Sequence, residues 1–351
     1  MIPVNVITGF LGSGKTTLLK EILRHPDFSD AAVIVNEFGE VGLDHILLEQ
    51  VEEGVLLLEN GCVCCTIRSD LQQTIRALQD NVAAGQIEPF RRVFIETTGL
   101  ADPSPIVSTL LAEPVIRNHF RVGNILCTVD AVTGLRALEQ QPEAVKQIAV
   151  ADRILITKSD LADEPATDLL ENEVRRLNPF APTRRTIGSG FEASSLFARD
   201  VGTEEGRARE VADWFENTSH SHGHQHDHSN QSGSARAFTI EFANRIDWAA
   251  FGIWLTALLH AHGERILRVK GILNVHESQT PVVIHGVQHM VHPPLHLVRW
   301  PDESRKSRLV FITRGIEEAR IRASLKAFLA LAERMKGGTE IPAVDGVEYH
   351  G

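Results

Sequence analysis

Short apolar runs alternate with amphipathic stretches through the first half of the chain. Buried strands are predicted over residues 2–8, 31–36, 51–58, 92–99, 124–129 and 153–156. A helix is predicted over residues 17–23, and another begins at Ser69, its predicted N-cap, with Leu71, Ile75, Leu78 and Val82 on one face. Apolar strands that alternate with helices are typical of a mainly parallel, doubly wound α/β sheet.

A different pattern begins at residue 237. Strands are predicted over 238–242, 266–275, 281–291 and 307–313, and a closing helix over 316–334. Between the first two of these strands, Asp247 is the predicted N-cap of a helix that Gly263 ends. This half of the chain is therefore predicted to be a smaller α+β domain.

Histidine occupies every second position from His220 to His228, between residues rich in Ser, Asn, Gln and Gly. Such a segment cannot build an apolar core, so we interpret it as a disordered linker. The histidines can bind Zn²⁺, Ni²⁺ or Co²⁺ weakly. The alternative is that the segment is a solubilising linker without a metal role. The predicted organisation is an N-terminal α/β domain over residues 1–216, the histidine-rich linker over 217–236 and the α+β domain over 237–340.

Composition narrows the class of protein. The 351 residues are enough for two domains, and 43% apolar with 23% charged residues is ordinary for a globular protein. A formal charge of −11 argues against a general nucleic-acid or anionic-membrane binder. No apolar run reaches the ~18 residues of a transmembrane helix, and no signal peptide precedes the first predicted strand. We therefore predict a cytoplasmic protein with no nucleic-acid or membrane partner.

A glycine-rich segment follows the first predicted strand and opens the first helix. Residues Gly9 to Thr16 match G-x-x-x-x-G-K-[ST] at every fixed position. The glycines let backbone N–H groups approach phosphate oxygens, Lys15 adds positive charge toward the β and γ phosphates, and the Thr16 hydroxyl is suited to bind Mg²⁺. The predicted phosphate-binding residues are Gly9, Phe10, Leu11, Gly12, Ser13, Gly14, Lys15, Thr16 and Thr17.

Acidic residues follow two of the predicted strands. Glu96 and Gly99 end the fourth strand as Glu-x-x-Gly, where a carboxylate holds Mg²⁺ and the Gly99 N–H is expected to contact the γ-phosphate. Glu37 follows the second strand and either faces the phosphates or a metal, or belongs to a solvated acidic turn. The predicted catalytic residues are Lys15, Thr16 and Glu96.

The last predicted strand of the first domain runs into Thr157-Lys158-Ser159-Asp160, which matches the base-reading [NT]-K-x-D motif of GTPases. The Asp160 carboxylate can accept hydrogen bonds from guanine N1–H and the exocyclic amine, a donor pair that adenine lacks. The stem of Lys158 is expected along the base, and residues 185–189 are predicted to supply a further loop against it. The motif therefore predicts a preference for GTP.

Three cysteines lie within four positions, as Cys62, Cys64 and Cys65. Thiolates bind metals such as Zn²⁺, Co²⁺ and Cu⁺, and three of them leave a coordination position for water, Glu37 or an incoming protein ligand. Such an incomplete shell suits a metal that must leave again, although a redox pair between Cys64 and another thiol is also open. The fourth cysteine, Cys127, is predicted to be a core residue.

Other polar residues carry weaker signals. Asp130, at the end of the fifth predicted strand, is assigned at most a supporting or interface role. His285, His289, His292 and His296 are predicted to be surface residues or satisfied polar partners.

Together these residues resemble the CobW-type family of P-loop GTPases, a metallochaperone and metal-enzyme-activator group related to the urease and hydrogenase nickel-insertion GTPases. The resemblance rests on GFLGSGKTTLL, ENGCVCC, the Glu96–Gly99 motif and TKSD, and in the second domain on ILRVKGIL, HGVQH and SRLVFI. It implies a P-loop NTPase fold. It also implies that Mg²⁺-dependent GTP hydrolysis gates the transfer of Zn²⁺ from Cys62, Cys64 and Cys65 to a client apo-metalloprotein.

Alternatives to zinc delivery remain open. One is Co²⁺ delivery for cobalamin synthesis, and another is a metal-sensing or storage protein whose GTPase activity is incidental. A kinase built on the same loop is disfavoured by the Asp160 motif and by the lack of a phosphoacceptor-pocket signature. We also leave a homodimer open.

Overall fold

The structure is a computed structural model. It describes residues 1–35, 56–59, 67–186 and 235–336, together with residues 196, 197, 203, 205, 206, 209 and 211. Glu37, the cysteine cluster (Cys62, Cys64 and Cys65) and the histidine tract lie outside the described residues.

A sheet of parallel strands forms the centre of the N-terminal domain. Its described strands are β1 (Ile2–Gly9), β2 (Ala31–Val35), β3 (Leu56–Glu59), β4 (Arg92–Glu96), β5 (Phe120–Asp130), β6 (Arg153–Thr157) and β7 (Thr183–Arg185). They pair in the order β3-β2-β4-β1-β5-β6-β7, and every pair is parallel. The predicted parallel sheet is confirmed. The edge strand β7 was not predicted, because its three residues are all polar.

Helices cover both faces of this sheet, as expected for a doubly wound fold. They are α1 (Lys15–Arg24), α2 (Ile67–Ala83), α3 (Ser104–Ala112), α4 (Pro114–His119), α5 (Gly134–Gln140), α6 (Pro142–Val150) and α7 (Glu164–Leu177). Because side chains alternate along a strand, Ile7 and Phe94 pack toward α1, while Val6 and Ile95 pack toward α2 and α3. Two apolar cores therefore sandwich the sheet.

Helix α2 starts earlier than its polar pattern suggests. It begins at Ile67, so the prediction that Ser69 is its N-cap is wrong. The predicted apolar face is correct, since Ile75 and Leu78 are buried. An amphipathic period fixes which face of a helix is buried, but it does not fix the residue at which the first turn starts.

The C-terminal domain is an antiparallel sheet covered by two helices within the described residues. The strands are β8 (Ala235–Phe242), β9 (Ile266–Leu273), β10 (Val282–Val287), β11 (Met290–Val291), β12 (Leu295–His296) and β13 (Ser307–Arg314). Their order is β11-β10-β9-β13-β8, with β12 also paired to β10. The helices are α8 (Trp248–His262) and α9 (Glu318–Lys336). The predicted smaller α+β domain is confirmed.

Two local predictions in this domain have different outcomes. Asp247 is the N-cap of α8, and its Oδ1 accepts a hydrogen bond from the N–H of Ala250 at 2.6 Å. The prediction of one strand over residues 281–291 is wrong, because β10 ends at Val287 and a turn of Gln288 and His289 leads into β11. That turn lacks the Gly or Asn that usually signals a hairpin.

Buried side chains of both domains form one apolar cluster, which includes residues of β5 and β6. Cys127, Val129 and Ile156 of the first sheet belong to the same apolar cluster as Leu267 and Val310 of the second. Cys127 is a buried core residue, as predicted. The second sheet therefore packs directly against the first domain. None of the described helices has the length and apolar character needed to cross a bilayer.

Candidate functional site

The glycine-rich loop joins β1 to α1 at the carboxyl edge of the parallel sheet. β1 ends at Gly9, and α1 begins at Lys15. Gly14 precedes the helix with a φ of 89°, a left-handed conformation that disfavours any residue with a Cβ. The first turn of a helix leaves N–H groups without intrahelical partners, and the first turn of α1 follows the loop directly.

Side chains from neighbouring strands hold this loop in place. Ser13 Oγ lies 2.7 Å from Thr128 Oγ1 on β5. The Ser13 carbonyl accepts a hydrogen bond from Thr157 Oγ1 at 2.9 Å, and the Gly12 carbonyl accepts one from Lys158 Nζ at 2.8 Å. The loop and the Thr-Lys-Ser-Asp motif are thus joined by direct hydrogen bonds.

Asp130 makes more contacts at this site than its position in the sequence indicated. Its Oδ2 accepts from Lys158 Nζ at 2.6 Å, and its Oδ1 accepts from the N–H groups of Val132 at 2.8 Å and Thr133 at 3.2 Å. Its one sequence signal was its position at the end of β5. The parallel register sets it beside Thr157 at the end of β6.

Strand β4 brings Glu96 to the first turn of α1. Thr16 Oγ1 donates a hydrogen bond to Glu96 Oε1 at 2.6 Å, and the Glu96 side chain is buried. A hydroxyl beside a carboxylate is the kind of oxygen donor set that Mg²⁺ prefers, so these residues fit the predicted Mg²⁺ site. Lys15 Nζ donates to the Phe10 carbonyl at 3.3 Å, within the loop itself.

The segment after Glu96 passes against the loop. A Cβ on Gly99 would lie 2.7 Å from the backbone nitrogen of Leu11 and 2.8 Å from its Cα, so a side chain there would displace the loop. Gln147 on α6 holds this segment, since its Nε2 donates to the carbonyls of Gly99 at 3.1 Å and Ala101 at 3.0 Å. The sequence alone does not indicate Gln147, because a glutamine within a helix belongs to no motif.

The Thr-Lys-Ser-Asp motif forms a tight turn after β6. Lys158 has a φ of 58°, and its carbonyl accepts from the N–H of Leu161 at 3.0 Å. Thr157, the last residue of β6, is buried, and Asp160 is exposed. The motif therefore presents its acidic residue to solvent at the same edge as the glycine-rich loop.

The Arg185 side chain packs against α7. Its guanidinium contacts Glu164 at 2.8 Å, Asp168 at 2.5 Å and Glu171 at 2.6 Å, all on α7. Hydrogen bonds to Asp168 and Glu171 raise the pKa of this guanidinium further. The structure thus assigns the Arg185 side chain to the packing of β7 on α7. The next residue, Thr186, accepts a hydrogen bond from the N–H of Ser159 at 3.4 Å, and the contact of this loop with the base stays a prediction. Residues 187–189 of the predicted loop lie outside the described part of the chain.

Comparison with known proteins decides the family. Residues 3–185 match the CobW/HypB/UreG nucleotide-binding domain, and residues 235–329 match the cobalamin synthesis protein CobW C-terminal domain. This chain belongs to the CobW family. The P-loop GTPase class predicted from the sequence is thereby confirmed, and the chain is a GTPase of this family.

Relatives match along nearly the whole chain. Zinc chaperone YjiA of Escherichia coli (strain K12) is 32% identical over 323 residues, which cover 92% of this chain and 97% of that protein. Zinc chaperone CobW of Sinorhizobium is 28% identical over 358 residues, covering 93% and 97%. The crystal structure of Zn(II)-bound YjiA GTPase from E. coli matches with a TM-score of 0.70 at 27% identity, covering 93% of this chain and 98% of that one. Both domains therefore have the arrangement of a CobW-family GTPase.

Metal ligands are not gathered in the part of the chain that the structure describes. No group of three or more His, Cys, Asp or Glu side chains there is placed to hold a metal ion. Burial raises the pKa of the Cys127 thiol to about 12, which disfavours the thiolate that a metal requires. Cys62, Cys64, Cys65 and Glu37 lie outside the described residues, so the metal site stays a prediction.

Proposed function

We propose that this protein is a GTP-dependent metallochaperone that delivers Zn²⁺ to a client apo-metalloprotein. One observation carries the nucleotide half of the proposal. The glycine-rich loop hydrogen-bonds, at one sheet edge, with the Glu96 side chain and with Thr157 and Lys158. The metal half is supported by full-length relatives named zinc chaperones and by the cysteine cluster of this chain.

The loop residues bind the triphosphate in this proposal. Loop N–H groups, the N-terminus of α1 and Lys15 supply the positive field that three phosphates require. Thr16 and Glu96 hold Mg²⁺, which when bound neutralises charge that develops on the transferred phosphoryl group. The N–H of Gly99 contacts the γ-phosphate. Hydrolysis then depends on position and charge, and turnover without a partner is slow.

The base is recognised by the motif after β6. Asp160 accepts hydrogen bonds from the N1–H and exocyclic amine of guanine, while the stem of Lys158 packs along the base. The Lys158 ammonium is already held by the Gly12 carbonyl and Asp130, which limits the positions that its stem can take. Restraint of this kind lowers the entropy cost of binding a nucleotide.

The cargo is held by the cysteine cluster. Cys62, Cys64 and Cys65 bind Zn²⁺ as thiolates, and Glu37 adds an oxygen ligand in one nucleotide state. His220 to His228, in the linker over residues 217–236, gathers metal weakly between the GTPase domain over 1–216 and the C-terminal domain over 237–340.

Sheet register supports coupling between nucleotide and cargo. Val35 at the end of β2 is in register with Glu59 at the end of β3 and with Glu96 at the end of β4. The chain segment that leads to Glu37 therefore starts beside Glu96, and the segment that leads to the cysteine cluster starts one strand further along the same edge. A change in the ligands around Glu96 acts directly on the edge from which both segments emerge.

Cobalt is a second candidate cargo. The observation that favours it is the match of residues 235–329 to a domain described for cobalamin synthesis. Tetrahedral thiolate sites accept Co²⁺ as well as Zn²⁺, so the cysteine cluster alone does not choose between them.

Zinc release to a competing chelator tests the proposal. The full chain is loaded with one equivalent of Zn²⁺ and mixed with a fluorescent zinc chelator in the presence of GTP, a non-hydrolysable GTP analogue or GDP. We expect release rates to differ between nucleotides, because hydrolysis changes the ligand set around the metal. Parallel loading with Co²⁺ reports which cargo the nucleotide controls.

Cysteine variants serve as controls. The triple change of Cys62, Cys64 and Cys65 to Ser is expected to lose tight zinc binding and to keep GTP binding. Cys127→Ala removes the buried fourth cysteine and is expected to keep both. Equal release in all nucleotide states, or tight zinc binding by the triple variant, would contradict the proposal.

A further inference from the structure

A two-residue turn of the C-terminal domain reaches the segment that follows Glu96. Gln288, the first residue of the β10–β11 turn, has a φ of 48°. Its Nε2 donates to Asp102 Oδ2 at 2.7 Å, across 186 positions of sequence. Asp102 Oδ1 accepts from the N–H of Ser104 at 2.9 Å, at the start of α3. Asp102 is therefore a junction between the two domains.

Asp102 belongs to the same short segment as Gly99, which touches the glycine-rich loop. Helix α6 also contacts this segment. The Gln147 side chain is fully buried and donates to the carbonyls of Gly99 and Ala101, and Lys146 Nζ lies 3.4 Å from Asp102 Oδ2. Residues 99–102 are thus fixed by the loop, by α6 and by the C-terminal domain.

The turn that carries Gln288 is itself anchored. His289 Nδ1 lies 3.0 Å from the Leu259 carbonyl near the end of α8. A Cβ on Gly263 would lie 2.3 Å from the same ring nitrogen, so the imidazole packs closely against the end of this helix. A displacement of α8 would therefore move the turn, and Gln288 with it.

The C-terminal domain also holds the far end of α6. Arg268 on β9 is fully buried, and its Nη1 donates to the carbonyls of Val150 at 2.5 Å and Ala151 at 2.6 Å. One domain therefore contacts both Asp102 and the helix that carries Gln147. The first contact is made with the Gly99 segment itself. The second is made with α6, whose Gln147 donates to the Gly99 carbonyl.

We propose that the C-terminal domain sets the rate of GTP hydrolysis through the contact between Gln288 and Asp102, which makes both of them positioning residues. The inference rests on the proposed contact between the Gly99 N–H and the γ-phosphate. A small displacement of a group that faces the reacting phosphoryl group strongly changes how well that group stabilises the transition state. An event on the C-terminal domain that shifts the turn, such as client docking, thereby reaches the nucleotide site.

Steady-state GTP hydrolysis by the full chain tests this contact. Gln288→Ala removes the donor, and Gln288→Glu sets two carboxylates against each other. We expect kcat to fall about 2- to 30-fold, the range of mutations along coupled networks, with a larger fall for Gln288→Glu. The KM for GTP and the melting temperature should stay near those of the wild type, because these substitutions leave the glycine-rich loop and the backbone hydrogen bond from the Gln288 N–H to the Leu267 carbonyl unchanged.

A polarity swap separates positioning from general damage. Asp102→Asn combined with Gln288→Glu restores one hydrogen bond with donor and acceptor exchanged, and Asn keeps an acceptor for the Ser104 N–H. We expect the double variant to recover most of the kcat lost in Gln288→Glu. Gln279→Ala, at an exposed glutamine of the same domain, is the matched control with wild-type kcat.

Each contrary result has one meaning. Wild-type kcat in both Gln288 variants overturns the inference while the proposed function stands. A kcat loss that the double variant does not recover also overturns it, because the contact is then only structural. Absence of GTP turnover in the wild-type chain, measured in the same assay, overturns the proposed function and this inference with it.

Discussion

Lys158 shows how one side chain can join separate parts of a site. Its ammonium is held between the Gly12 carbonyl and Asp130, whose side chain is only 9% exposed. The second oxygen of Asp130 is fixed by the N–H groups of Val132 and Thr133. A charge-assisted hydrogen bond to a carboxylate fixed in this way is stronger than one between neutral groups. Asp130 therefore sets where Lys158 lies across the loop.

Replacement of Asp130 by Asn tests that role. Asn keeps an acceptor for the two N–H groups but lacks the charge that holds the ammonium. We expect GTP to bind more weakly by about 1–2 kcal/mol, or about 5- to 30-fold. Titration with a fluorescent GTP analogue measures the change, and Asp80→Asn, an exposed acid on α2, is the control. An unchanged affinity would show that Lys158 does not need its carboxylate partner.

Motif spacing was enough to single out Lys15, Thr16 and Glu96 in the sequence. It could not single out Asp130 or Gln147, which contact Lys158 and the Gly99 segment only because of how β5 and α6 are packed. Their partners are backbone carbonyls or a lysine far away in sequence. Contacts of this kind leave no local pattern, so only the folded arrangement reveals them.

Among elements, burial decides which ones the sequence predicts well. Strands β1, β2, β4, β5 and β6 are buried on both faces and appear as apolar runs, so the sequence located them, although β4 ends at Glu96 instead of residue 99 and β5 begins at Phe120 instead of residue 124. The edge strand β7 and the Gln288–His289 turn are held by polar contacts, from Arg185 to α7 and from His289 to the Leu259 carbonyl. Neither element contains an apolar run or a glycine in its sequence, which explains why both were missed.

The N-cap of α8 gives a prediction at this scale. Asp247→Ala removes the acceptor for the Ala250 N–H and is expected to cost about 0.5–2 kcal/mol of stability. Asp247→Ser keeps a capping oxygen and should lie close to the wild type. Thermal unfolding of both variants measures the difference. If Ala and Ser lower the melting temperature equally, the cap does not account for the start of this helix.

In the whole molecule, a buried ionic cluster joins the two domains. Arg268 and Asp152 form an ion pair in which both side chains are almost fully buried, and Lys270 Nζ lies 3.5 Å from the same carboxylate. Asp152 Oδ2 also accepts from the N–H of Ile125 at 3.0 Å. Burial alone would raise the pKa of Asp152, but Arg268 and Lys270 lower it to about 2. The carboxylate therefore stays ionised at the centre of the interface.

Asp152→Asn breaks this cluster without changing its volume. It leaves the Arg268 and Lys270 charges buried without their carboxylate, and loss of one partner of a buried ion pair costs about 3–5 kcal/mol. We expect urea unfolding near neutral pH to show a loss of that order. Glu139→Gln, at an exposed acid on α5, is the control and should unfold like the wild type.

Acid should reduce the stability difference between the wild type and Asp152→Asn. A carboxyl whose pKa is lowered by folding stabilises the native state above its unfolded pKa of about 3.9, and that contribution is lost as the pH falls through the folded value. With a folded pKa of about 2, the gap corresponds to about 3 kcal/mol. The difference in urea midpoints should therefore be constant above about pH 5 and shrink between about pH 4 and pH 2. A difference that persists unchanged to about pH 2 would mean that Asp152 is not the ionised partner of Arg268 in the interface.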